Sequence, residues 1–255
     1  MTQTIAEGGN PLRKNDGKSY YVQLDGGMVF TREEKWKEMK LCRIFDQRQR
    51  VSVSKNRHYI DHSTYVAHLG SHKPFLQKVE CHLDDKAEVI FIADGAKWIW
   101  KWVEAMYPES IQILDFYHAK QHLCAWADLV FKDPTKKENW IYAQCLWMLN
   151  NGMDTVIENI KEIQATTPQA RKGRTNLIDY YTENRSRMQY KTYKEKGLMI
   201  GSGPIEYAQR NVIQQRMKLS GQRWTIKGVQ QIANLRAERK SNNWLKVIEL
   251  IKNAA

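Results

Sequence analysis

Nowhere does the 255-residue sequence approach the roughly 18 consecutive apolar residues of a membrane-spanning helix. The opening stretch MTQTIAEGGNPLRKNDGK has no apolar segment of the kind that marks a secretory leader. The expectation is a cytoplasmic chain with no membrane partner. Cysteine is sparse. Cys42, Cys81, Cys124 and Cys145 lie far apart with no C-x-x-C pair, which argues against a zinc ribbon or a disulfide framework and predicts reduced, packed thiols. Internal repeats and low-complexity tracts are absent too. Surplus charge is missing from residues 1–170, where 22 Lys+Arg face 22 Asp+Glu, so the 18 Lys+Arg against 6 Asp+Glu of residues 171–255 carry the whole net charge of +12. A neutral body with a basic last third suits a polyanion, because cations that neutralise phosphates release condensed counterions. A solvated basic face is the plain alternative.

What is present reads as a mixed α/β domain with a helical interruption. Residues 1–18 are rich in Gly, Asn, Pro and charge and read as a linker. SYYVQLDGGMVF (19–30) is a strand expected to end at Asp25 and a Gly-Gly turn, KEMKLCRIFD (37–46) is a second, and a third is expected within 57–70. Phe75, Leu76, Val79 and Leu83 recur at helical spacing, and AEVIFIAD (87–94) is a continuous apolar run typical of a strand buried on both faces. Trp98, Ile99, Trp102, Val103 and Met106 mark an amphipathic helix closed by Pro108. A short strand, IQILD (111–115), and a helix at 116–131 follow. Strand, helix, strand, helix implies a sheet that is parallel in part, with an antiparallel meander before it. Residues 132–200 have no strand signal and read as an all-helical insertion broken near Asn150–Gly152 and at Pro168. Residues 201–255 return as one helix from Ile205 and another from Ile226 to Ile251.

Three acids stand out by position: Asp25, Asp94 at the end of the apolar strand, and Glu206 on the first turn of the helix opened by GSGPIEYAQ. Each has an ordinary reading. Asp25-Gly26 and Asp94-Gly95 resemble turns, and an acid near a helix N-terminus, two residues after Pro204, interacts well with the macrodipole. Together they admit another. Functional groups collect at the carboxyl ends of strands in open α/β sheets. If the first strand lies beside the one ending at Asp94, a helix packed across them could add Glu206. Three hard oxygen donors suit two Mg²⁺ ions, with Mn²⁺ able to substitute.

YVQLDGGMVF, VIFIADGAKWIW, ILDFYHAKQHL and GSGPIEYAQRNVIQQRMKLSGQRW resemble, in order, the blocks of bacterial insertion-sequence DDE transposases of the Kra type, allied to the Mutator-like elements. The resemblance covers residues 19–240. It implies a ribonuclease-H-like core at 19–131, interrupted at 132–200 by the helical insertion and completed at 201–255. It also implies that Asp25, Asp94 and Glu206 are the catalytic, metal-binding residues. Asp115-Phe116-Tyr117-His118 matches the D-x-x-H signature of this branch. The implied activity is Mg²⁺-dependent cleavage and strand transfer on double-stranded DNA, at transposon ends and target, by a nucleoid-associated protein able to form homo-oligomers. Relatives usually carry an N-terminal region that binds the element's ends, which the 18 residues before the first strand do not supply. A ribonuclease-H-like nuclease and a domesticated DNA-binding protein remain alternatives.

Around the acids, Asp115 and His118 are expected to stand behind the metals or touch DNA, with a structural role the alternative for His118. His118 and His122 have the spacing of a zinc helix, but Ala119 stands where the zincin motif has Glu. Trp224 lies in a basic loop, and either stacks on an unpaired base or anchors the loop in the core. Arg210, Arg216, Lys218 and Arg223 are the expected phosphate contacts. Trp140 and Trp147, seven apart, are expected in the core of the insertion.

Overall fold

A computed structural model describes residues 19–54, 57–83 and 88–253, so the linker expected at 1–18 lies outside the described residues. The chain is mixed α/β. Strands β1 (Ser19–Thr31), β2 (Lys35–Asp46), β5 (Thr64–Leu69), β6 (Glu88–Ala93) and β7 (Ile111–Leu114) form a five-stranded sheet in the order β5-β2-β1-β6-β7. β3 (Arg50–Ser54) and β4 (Arg57–Ile60) pair as a separate two-stranded sheet, so the region 57–70 holds two strands instead of one. The α-helices of six residues or more are α1 (His72–Glu80), α2 (Lys97–Met106), α3 (Phe116–Val130), α4 (Pro134–Leu149), α5 (Met153–Glu162), α6 (Pro168–Asn184), α7 (Tyr190–Glu195), α8 (Gly203–Ala208), α9 (Ile226–Lys240) and α10 (Trp244–Lys252). Among the described residues, no helix is long and apolar enough to cross a membrane. The described residues divide into two compact units, one drawn from residues 19–91, 101–111 and 203–253, the other Ile92–Trp100 and Gln112–Ser202.

In the first unit β1 and β2 pair antiparallel from Tyr20↔Asp46 to Thr31↔Lys35, and β2 pairs antiparallel with β5. β1 does not end at Asp25. Its partner strand continues past the glycines, with Asp25↔Leu41, Gly26↔Lys40 and Gly27↔Met39 in register. The glycines serve close approach: a Cβ on Gly26 would fall 2.2 Å from Glu38 Oε1, and one on Gly27 would lie 3.3 Å from Gln209 Oε1. The turn comes instead at Arg32–Glu34, and Lys35 leaves it at φ 61°. A core of Val29, Met39, Leu41, Ala67 and Leu69 from the strands is closed by Ile205, Ala208, Val212, Ile213 and Met217 and by Val229, Ala233 and Ala237 of α9. The single helix expected from Ile226 to Ile251 breaks at Ser241–Asn243, where Asn242 takes φ 61° and the buried Ser241 hydroxyl donates to Ala237 O at 2.8 Å and accepts from Tyr65 N at 2.9 Å.

β5 also carries a pH-sensitive group. His68 is half-buried, its Nδ1 lacks a hydrogen-bond partner, and its pKa is pushed down to about 4 by desolvation and then by Lys78, Lys40 and Lys37. The unfolded chain takes up this proton near pH 6.5. Its contribution to stability is therefore complete above that pH and falls as the pH drops towards 4. A His68→Gln variant is expected to lose less stability than the parent between pH 7 and pH 5 in urea melts. Equal losses would remove His68 from the acid sensitivity.

In the second unit local signals set the helix ends. Asp133 caps α4 ahead of Pro134 by accepting from Thr135 N at 2.9 Å, and Thr167 caps α6 ahead of Pro168 by accepting from Ala170 N at 3.1 Å. Leu123, Trp126, Met148, Val156, Ile160, Leu177 and Tyr181 are buried, with Trp126 Nε1 donating to Ala170 O at 3.0 Å and Tyr181 OH to Ala119 O at 2.9 Å. Trp147, expected in this core, is 48% exposed, and Trp140 is half-buried against Phe131 and Trp126. Spacing of seven kept them on one side of α4, but Cys145 and Met148 take the inward positions. The cysteines form no disulfide; Cys42 and Cys145 are buried, but Cys81 is exposed, contrary to the expectation of uniformly packed thiols.

Candidate active site

Side chains alternate along a strand, so Gln23, Asp25, Gly27, Val29 and Thr31 share one face of β1. The α8 helix lies on that face. Ile205 N donates to Gln23 Oε1 at 3.1 Å, Gly27 meets the Gln209 side chain, and Val29 joins the core cluster that holds Ile205 and Ala208. Buried Arg43, opposite Gln23 on β2, donates to Pro204 O at 2.8 Å and to Ser63 Oγ at 2.9 Å, fixing the first turn of α8. Asp25 thus sits between two points at which this helix touches the strand. It is half-buried, and its Oδ1 accepts from Gly26 N at 2.8 Å. Glu206 follows Ile205 directly and is exposed. Beyond Ala208 the helix loosens into a π-helical stretch, Gln209–Gln214, a form that recurs at functional sites.

Gln23 and Gln209, 0% and 4% exposed, flank Asp25 on this face, and the Nε2 of each is buried without a hydrogen-bond partner. Buried amide donors ordinarily have acceptors, so these two nitrogens are polar atoms that the packing of this face leaves unmatched. The oxygens of Asp25 and Glu206 are the hard donors that Mg²⁺ takes. Among the described residues, no three His, Cys, Asp or Glu side chains form a preassembled ligand set.

In the second unit Asp94 directly follows β6. Its Oδ1 accepts from Ala96 N at 2.9 Å, and its carbonyl accepts from Trp100 Nε1 at 2.8 Å. Gly95 is required beside it, since a Cβ there would fall 2.1 Å from Tyr180 Cε2. The Tyr180 ring lies 4.3 Å from that of His122, and its hydroxyl is buried without a partner. Burial, followed by the charges of Asp94 and Asp115, raises the Tyr180 pKa, so the phenol stays protonated. His122 titrates below the usual histidine value because packing desolvates it and His118 lies nearby, against the opposing pull of Asp94.

Asp115 is 0% exposed and ties two segments together. It caps α3 by accepting from Tyr117 N at 2.6 Å and His118 N at 3.2 Å through Oδ1. Its other oxygen accepts from Ser202 N at 2.8 Å and from the Ser202 hydroxyl. Its own N–H donates to Ala93 O at 2.9 Å, next to Asp94. His118 is half-buried, one turn from His122.

Arg210, Arg216, Lys218 and Arg223 are all exposed in the first unit. Trp224 is the anchor of its loop instead of a free stacking platform. Its carbonyl accepts from Arg32 N at 2.8 Å, it bridges to Thr31, it packs on the core cluster, and the Arg216 guanidinium lies 5.1 Å from its ring centroid. Sequence reasoning missed Gln23, Gln209, Arg43 and Tyr180. Strand parity with Asp25 could have found Gln23; nothing local marks the others, whose roles arise from packing.

The described residues thus form a mixed sheet in the order β5-β2-β1-β6-β7, with α8 docked over β1 and β2. The chain belongs to an uncharacterised protein family, UPF0236, whose model matches residues 9–253. No curated protein matches it significantly.

Proposed function

We propose that this protein is the catalytic domain of a DDE transposase of the Kra type, acting on DNA at the transposon ends and at the target. The observation that supports the reading is the docking of α8, the helix that carries Glu206, on the β1 face that bears Asp25, beside two buried amide nitrogens without hydrogen-bond partners. The ordered sequence blocks add Asp94 as the third ligand. Bound Mg²⁺ would be held by Asp25, Asp94 and Glu206 and would supply Lewis-acid stabilisation of charge on the phosphoryl oxygens. In cleavage, a water oxygen attacks phosphorus, the P–O3′ bond breaks, and the 3′-oxygen leaves and takes a proton. In transfer, that hydroxyl attacks a target phosphodiester and displaces a second 3′-oxygen. The chain's part is to hold the carboxylates, keep Asp94 in place through the Asp115 N–H to Ala93, and grip the phosphates with the basic last third.

The test is incubation of the chain with short duplexes carrying the element's ends and with target DNA, in Mg²⁺ or Mn²⁺. Nicked and joined products are expected, and EDTA should prevent both. Cleavage without joining would favour the nuclease reading, and DNA binding without either reaction the domesticated binder. Replacing Arg216, Lys218 and Arg223 together with Ala is expected to weaken duplex binding and flatten its salt dependence. The log–log slope of about −0.9 per neutralised phosphate should fall in magnitude by up to about 3. A variant with the parent's slope would make the charge excess a solvated surface.

A further inference from the structure

The tip of the β1–β2 hairpin carries aromatic side chains and cations of which only the neighbouring Arg223 is used in the assignments above. Phe30 and Trp36 are directly opposed across the strands, with ring centroids 5.5 Å apart at 82°, and Trp36 is 63% exposed. Beside them lies a surface cavity of about 530 Å³ lined by Phe30, Arg32, Lys35 and Arg223. The tip is held to the rest of the unit, since Arg32 N donates to Trp224 O at 2.8 Å and Arg32 Nε to Arg223 O at 3.2 Å. Two acids share the turn, and both are engaged: Glu33 Oε2 accepts from Ile226 N at 3.1 Å, and Glu34 pairs with Lys37. Three cations therefore line a cavity whose fourth wall is an aromatic ring, next to an indole left mostly in water.

We propose that this tip is a binding site for an unpaired segment of a nucleic-acid strand, with phosphates against Arg32, Lys35 and Arg223 and a base stacked on Trp36. It rests on the reading of the chain as a DNA-processing enzyme. The charge of the cavity calls for a polyanion. Paired bases in a duplex already stack on each other and have no use for an exposed indole, whereas an unpaired base stacked on an aromatic gains about 1 to 3 kcal/mol. Trp224, the other aromatic of this region, packs on the core cluster with the Arg216 guanidinium 5.1 Å from its ring centroid.

The experiment uses the full chain and three probes: a blunt duplex, the same duplex with a single-stranded 3′ tail, and that tailed duplex with 2-aminopurine in the tail. The parent is expected to bind the tailed duplex more tightly than the blunt one and to quench 2-aminopurine. Trp36→Ala should weaken tailed-duplex binding by roughly 5- to 150-fold, the equivalent of one lost stack. Blunt-duplex affinity should change by less than about twofold, and Trp36→Phe should retain most of the tail preference. Should Trp36→Ala prove poorly folded, 2-aminopurine quenching by the parent reads the same contact without it. A parent that binds both duplexes equally and leaves 2-aminopurine unquenched overturns the inference alone. A parent that binds neither duplex overturns the functional reading beneath it. Loss of self-association in Trp36→Ala, with tail binding unchanged, would assign the tip to a second copy of this chain and also overturn the inference.

Discussion

Glu206→Gln is expected to lower Mg²⁺-dependent strand cleavage by at least about 100-fold, the scale of losing one charge-stabilising group at a reacting centre. Duplex affinity should stay within about twofold. The side chain is exposed on the first turn of α8, so an amide of the same shape can replace it without repacking. The structural cost is the interaction of one acid with the helix N-terminus, about 0.3 to 1 kcal/mol. What the amide cannot do is neutralise a divalent cation. Gel-resolved cleavage, fluorescence anisotropy and a thermal melt on the same preparation separate these effects. Cleavage at the parent's rate would remove Glu206 from the chemistry. Loss of binding as well would give α8 a direct part in holding DNA.

Asp115→Ala is expected to have the largest effect on stability, about 3 kcal/mol, a fall in Tm of roughly 6 to 12 °C for a chain of this size. The carboxylate is 0% exposed and accepts from Tyr117 N, His118 N, Ser202 N and the Ser202 hydroxyl. Alanine removes the cap of α3, worth about 0.5 to 2 kcal/mol, and leaves the Ser202 amide buried without an acceptor. Asp115→Asn should recover part of the loss, since its Oδ1 can still cap α3. The Asn variant melting as low as the Ala variant would mean that the bonds to Ser202 carry the tie. An unchanged Tm in both would show that the segment ending at Ser202 is held by other contacts, such as Phe116 N to Ile200 O at 2.9 Å.

Much of this protein was legible in the sequence because its signals are local. Apolar runs and turn residues located β2, β6 and β7; Pro168 marked the break before α6; periodicity placed Phe75, Leu76 and Val79 inward. Asp94 was placed directly after β6 for the same reason, as the residue that ends an apolar strand. The misreadings share one cause. Asp25-Gly26-Gly27 has the local preference of a turn, yet β2 pairs straight through it and the glycines make room for Glu38 and Gln209. Trp147 keeps helical spacing but falls outside the packed face. Spacing records which residues share a face and turn propensity records what a short peptide prefers. Which face is covered, and whether a partner strand holds a glycine pair extended, depends on residues far away in the chain. The sequence by itself determined the elements, the uneven charge and the candidate acids. Only the tertiary structure decided that Gln23 and Gln209 flank Asp25 and that Trp224 packs on the core cluster, because each of those facts is a contact between distant segments.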